Sequence, residues 1–376
     1  MNRFRFVAIV VLLAGLVLAA CQSVSTPGGQ SAVAPQAVGA TESTAPEQAL
    51  TKVKVQLAWV KQGEFTCVFS ALDQGFYAQE GLEVEVLAGG PDVRTVQVVA
   101  SGAAEFGIGS PALVIASRAN GVPIKGIAQT FQDSFTVYIA KKARGFNTIE
   151  DIAGAKFGVW FGGGEYEPQL MAVKAGVGKD NVSWLPQKFS MVEFYEDKLD
   201  VASATLHNEL HVVLDDGYAR DDLTIYRASD YGAGMVSDGL YTTEDMINNR
   251  PEIVQAFVNA TLRGCKWGYE HGNEAAEIVL KFNPELDLQK QIYQVEEVNK
   301  LMTARSAQEH GFGYMAPEDW EISQEGLLEL AAISEPIDLT AAYDSSFWEM
   351  VPEEYKTLSD LDVAAIQQRI AENLGE

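Results

Sequence analysis

The residues best placed to do chemistry are those of a glycine loop, Phe161-Gly162-Gly163-Gly164-Glu165-Tyr166. Three glycines between an apolar run and a helix-like stretch expose backbone N–H groups at a helix start, which suits a phosphate or another anion. Glu165 already occupies that helix start, however, and the loop has no Lys or Arg. Neither the Walker nor the dinucleotide glycine spacing is present. Backbone approached closely by a neutral, flat molecule fits better, with a plain tight turn as the alternative. Gly163, Glu165 and Tyr166 are therefore candidate contacts.

Other candidates offer rings or hydrogen bonds rather than nucleophiles. Trp59, followed by Glu64 and Phe65, is either a flat wall for a heterocycle or a core residue. Asn208 carries both a donor and an acceptor, which can read a ring edge or cap a helix. His207 and His211 have metal-like i, i+4 spacing but no accompanying zinc-type ligands, so they are read as polar helix residues. Tyr231, next to Asp230, could stack on a ligand or buttress a turn. Gln132, Glu193 and Phe131 follow from the same loop geometry. The four histidines stand apart, no nucleophile–base pair or metal cluster is evident, and no cofactor is expected. The pattern is that of binding rather than catalysis.

These residues need elements to position them. β-leaning runs at 54–59, 82–87, 105–109, 124–130 and 135–140 alternate with helical stretches at 65–79, 92–100 and from Pro111. The rhythm restarts near Asn147 with runs at 156–160, 182–185, 201–205 and 223–226, and becomes strongly helical after Gly232. The fold class expected is α/β, with two lobes that are each a mostly parallel sheet flanked by helices. Residues 51–142 and 232–376 form the first lobe, and residues 143–231 the second. Ligands of such sheets bind beyond the carboxyl ends of the strands, so the candidate loops would meet across a cleft.

The chain ends and composition bound the setting. Arg3, Arg5 and the apolar run 6–20 read as a signal peptide over residues 1–20. Leu18-Ala19-Ala20-Cys21 resembles a bacterial lipobox, which implies acylation at Cys21 and a lipid anchor on the extracytoplasmic face of the cell membrane. A Ser-, Thr-, Ala- and Gly-rich stretch then makes residues 21–50 a flexible tether. A net charge of −25 argues against nucleic-acid partners. Cys67 and Cys265 could pair, but two buried thiols are the favoured expectation. The folded part is expected to act as a monomer.

Two stretches carry a family resemblance. The run from Ala71 through Gly75-Phe76-Tyr77 to Gly81-Leu82-Glu83-Val84 is similar to a helix-to-strand turn in substrate-binding proteins related to thiamine-pyrimidine synthases and to alkanesulfonate and riboflavin receptors. Val99-Ala100-Ser101-Gly102-Ala103-Ala104-Glu105-Phe106-Gly107 resembles the signature "V-A-S-G-x-A-D-F-G" of that family, and Asp230-Tyr231-Gly232 also matches. The resemblance implies a type II periplasmic-binding fold that delivers its ligand to the permease of an ABC importer. Within that family riboflavin is the first ligand expected, a thiamine-precursor aminopyrimidine the second and a sulfonate the third. A secreted synthase-like enzyme is the rival reading, but the cysteine-rich motif of the synthases is absent.

Overall fold

The computed structural model describes residues 49–376, so the signal peptide, Cys21 and the tether up to residue 48 lie outside the described residues. Ten strands follow in chain order: β1 (Thr51–Gln56), β2 (Leu82–Leu87), β3 (Phe106–Gly109), β4 (Ile124–Ala128), β5 (Thr136–Lys141), β6 (Lys156–Val159), β7 (Ser183–Pro186), β8 (Val201–Thr205), β9 (Leu223–Tyr226) and β10 (Gly239–Thr243). They form two five-stranded sheets, with orders β2-β1-β3-β10-β4 and β7-β6-β8-β5-β9. In each sheet four strands run one way and one runs against them, β10 in the first and β5 in the second.

The lone reversed strand in each sheet has a topological cause. The chain leaves the first sheet from the carboxyl end of β4 and enters the second at the end facing the first, so β5 must run away from that end. It returns from the carboxyl end of β9, and β10 is reversed for the same reason. The expected lobe boundary after residue 142 is therefore corrected: β5 pairs with β8 and β9, and the first crossing spans residues 129–135. β10 has no counterpart in the sequence reading, which expected only helices after Gly232. Its five residues follow a glycine-containing stretch too short and irregular to show a strand period.

Two local differences also have physical reasons. Gly75 adopts φ 69° and breaks the expected 65–79 helix into Thr66–Asp73 and Phe76–Gln79. The expected 92–100 helix starts only at Thr95, and Asp92 is an exposed turn residue. Gly81 and Gly102 take positive φ where the chain turns from helix into strand, and Phe76 and Tyr77 are buried.

The helix Thr66–Asp73 packs on Pro251–Glu270 so closely that a Cβ on Gly264 would lie 2.1 Å from the Cys67 carbonyl oxygen. That approach brings Cys67 and Cys265 to a Cα separation of 4.1 Å, and they form a disulfide. The expectation of two free thiols is thus overturned. Helix packing between residues 198 apart decided the point, and no sequence spacing reports it. The helix Pro317–Glu329 joins both halves: Trp320 stacks on Tyr343 beside β4, while Gly326 meets Leu170 of the helix Tyr166–Lys174. No helix among the described residues is long and apolar enough to cross a membrane.

Candidate ligand-binding site

Strand carboxyl ends of both sheets converge on one cavity of about 210 Å³. The first half contributes the loop after β1 (Ala58, Trp59, Gln62, Glu64) and the turn after β3 (Gly109, Ser110). From the second half come Trp160 to Gly164 after β6, Thr205 at the end of β8, and Glu209. The two crossings close the sides with Phe135, Thr136 and residues 235–238.

One wall is aromatic. β1 and β6 hold the same place in their sheets, and each is followed by a tryptophan. The rings of Trp59 and Trp160 lie 5.5 Å apart at 57°. The buried Trp160 indole N–H has no partner among the described residues. At the mouth, Phe161 and Phe189 are 43% and 54% exposed, and Phe189 stacks on Trp59. Large rings left in solvent at the rim of a cavity are the usual mark of a surface that something else covers. The glycine loop supports this wall: Gly162 and Gly163 have φ of 110° and 137°, which side-chain-bearing residues rarely adopt.

The rest of the wall is acidic. Four buried carboxylates line the cavity (Glu64, Glu167, Glu209 and Asp238), and among the described residues no Lys or Arg does, although Arg94 Nη1 approaches Gly162. Glu167 accepts from Ser134 Oγ, Tyr138 OH and the Met235 N–H at 2.9–3.0 Å, tying both crossings to the second half. Burial pushes its carboxyl up to about 7, against the pull of those donors. Glu209 accepts from the Thr205 N–H and hydroxyl and from Asn208 Nδ2. Glu64 takes one bond, from Gln62 Nε2 at 2.9 Å, and His207 Nε2 stands 3.6 Å from it. Burial, reinforced by the charge of Glu64, pushes Asp238 up to about 8.

Of the ten ligand-contact residues expected from sequence, Trp59, Glu64 and Gly163 stand in the cavity wall and seven do not. Phe65 faces the other way, into the core of the first half. Gln132 is spent on the first crossing, where its Nε2 donates to the carbonyls of Gln129 and Tyr314. Glu165 turns back on its own loop and accepts from the Gly162 and Gly163 N–H groups. Tyr166 and Tyr231 pack against an apolar cluster that both halves share. Glu193 pairs with Lys188 outside the cavity. Asn208 bridges Glu209 and Gln294.

Phe161 and Glu209 lay within loops read as candidates without being chosen as contacts, whereas Trp160, Glu167 and Asp238 were missed altogether. Trp160 was open to the strand-exit argument that found Trp59. Asp238 carried no signal, because it precedes the strand the sequence hid.

Residues 62–275 match the family described as NMT1/THI5 like. The chain belongs to the NMT1/THI5-like family. It is similar to the riboflavin-binding protein RibY of Chloroflexus aurantiacus, 26% identical over 92% of this chain and 98% of that protein. The formylaminopyrimidine-binding protein of Halalkalibacterium halodurans is 25% identical, over 85% of this chain and 92% of its own length. Among solved structures, the periplasmic sulfonate-binding protein SsuA of Methylobacillus flagellatus superposes with a TM-score of 0.58 at 16% identity, covering 83% of this chain and 97% of that one. The fold of this family member is thus the two-lobe periplasmic-binding one that the motifs implied.

Proposed function

We propose that this NMT1/THI5-like protein is the extracytoplasmic solute receptor of an ABC importer, held on the membrane by acylated Cys21, and that its ligand is riboflavin. The observation that carries this reading is the union of an aromatic wall (Trp59, Trp160, Phe161) with a carboxylate floor free of cations. A tricyclic ring stacks on the indoles, and its imide and hydroxylated chain donate to the carboxylates. The similarity to RibY over nearly the whole chain supports the choice.

A sulfonate or phosphate has no counter-charge in the wall and is disfavoured by the same carboxylates. The two halves act as lobes, with residues 129–135 and 227–238 as the hinge, closing over the ligand to present a shape the permease recognises. The protein acts as a monomeric binder and catalyses no reaction.

A second reading, an aminopyrimidine receptor, is favoured by one observation: the cavity volume of about 210 Å³ is small for a binding pocket, where about 300–1,000 Å³ is common. Titrating the purified protein into riboflavin separates the two. Saturable quenching of flavin fluorescence supports the first. Unchanged flavin emission, with an aminopyrimidine raising Tm, replaces it with the second.

A further inference from the structure

Among the cavity carboxylates Asp238 is the exception. Its position is clamped: its backbone carbonyl accepts from the Phe131 N–H at 3.0 Å and the Thr130 hydroxyl at 2.8 Å, and Gln129 Nε2 also reaches it at 3.2 Å. Its side chain is buried, lines the cavity, and meets no hydrogen-bond donor among the described residues. A largely buried carboxylate that opens only onto the cavity and has no protein donor is costly, which leaves its oxygens to be completed from the cavity side. Glu64, in the wall of the same cavity, has one oxygen bonded by Gln62, and the other meets no donor among the described residues.

We propose that Asp238 and Glu64 form the anchor that reads paired hydrogen-bond donors on the ligand. This rests on the receptor reading above and specifies what that receptor recognises. Both carboxyls line the one cavity, near enough for the charge of Glu64 to act on Asp238, which in turn acts on Tyr241 of β10, while His207 Nε2 stands 3.6 Å from Glu64. Among the described residues no Lys or Arg lines the cavity, and burial pushes Asp238 up to about 8, so its carboxyl retains a proton near neutrality. Two O–H or N–H groups of the ligand donate to both carboxylates in their ionised form, and the retained proton passes to buffer. The donors could belong to vicinal hydroxyls on a chain or to an amino-substituted ring.

The test is calorimetric titration of the intact receptor near neutral pH, in two buffers of different ionisation enthalpy. The ligands are riboflavin, lumiflavin (the same ring system without the hydroxylated chain) and an aminopyrimidine. Proton release on binding that Asp238→Asn abolishes is the expected result. Wild-type affinity should climb towards about pH 8 and then level off, while the variant's stays flat. At that plateau Asp238→Asn should bind roughly tenfold more weakly, the size of one charge-assisted hydrogen bond. Proton release with riboflavin but not lumiflavin assigns the donors to the hydroxylated chain. Release with the aminopyrimidine assigns them to the ring. If Asp238→Asn does not fold, Glu64→Gln carries the same comparison. Binding of equal strength and equal pH profile in wild type and variants overturns the anchor while leaving the receptor reading intact. Absence of binding by all three ligands overturns both.

Discussion

The Trp59 ring lies almost parallel to that of Phe189, 11° apart with centroids separated by 5.9 Å, although the two come from loops of different sheets. Trp59 is half-buried and braced by Trp160, whereas Phe189 is largely exposed. The pair therefore joins a fixed ring to one that solvent can release. Replacing Trp59 with Ala should weaken heterocycle binding by about tenfold or more, from lost stacking and burial. Phe189→Ala should cost less than about fivefold, because that ring has little desolvated surface to lose. Flavin-quenching titrations check both, and equal losses would make Phe189 a wall of the site rather than a rim.

Stability of the empty protein should fall as pH rises. Asp238 and Glu167 have folded-state values of about 8 and about 7, above their ordinary 3.8 and 4.5. The folded state therefore holds more protons than the unfolded one across that interval. The slope of unfolding free energy against pH is negative there and vanishes below the lower values. Denaturant melts between pH 5 and about pH 8 measure it. Asp238→Asn should flatten the upper part of the curve, and a wild-type curve that rises over this range would contradict the assignment.

The Cys67–Cys265 disulfide closes a loop of 198 residues. Loops of that size restrict the unfolded chain strongly, so the Cys67→Ser/Cys265→Ser variant should lose about 2–5 kcal/mol of unfolding free energy. Ligand affinity should be unchanged, because Cys67 and Cys265 belong to the core behind the site rather than to the cavity wall. Urea denaturation beside a binding titration reads both, and identical midpoints with and without reductant would count against the bond.

Glu167 joins three separate segments through Ser134, Tyr138 and Met235. Glu167→Ala would leave those buried donors unpaired and should cost about 3 kcal/mol or more. Glu167→Gln, which keeps an acceptor oxygen, should cost clearly less. Thermal melts compare them. If the alanine variant were as stable as wild type, Glu167 would have to be reassigned from tying the crossings to contacting ligand.

Much of the scaffold was legible in the chain. Period-2 and period-3.6 runs located nine of the ten strands to within a few residues, because apolar patterning reports which face of an element is buried. Positive-φ glycines at Gly81 and Gly102 showed through as turn residues for a similarly local reason. Loops at strand exits could be named as candidates, which is why Trp59, Glu64 and Gly163 were found. The failures within those loops share a cause. Glu165, Asn208 and Gln132 are polar groups whose nearest backbone or side-chain partner was already present, and sequence does not say which partner a side chain turns to.

By itself, then, the sequence determined the α/β class, the succession of elements and the acidic character of the molecule, all of which follow from residue type and short-range period. Only the tertiary structure decided that β5 crosses to the second sheet, that Cys67 meets Cys265, and that Trp59 faces Trp160. It alone left Asp238 buried without a donor in the cavity wall. Each of these is a contact between segments far apart in the chain, set by how the sheets and helices pack, and no local pattern encodes that distance.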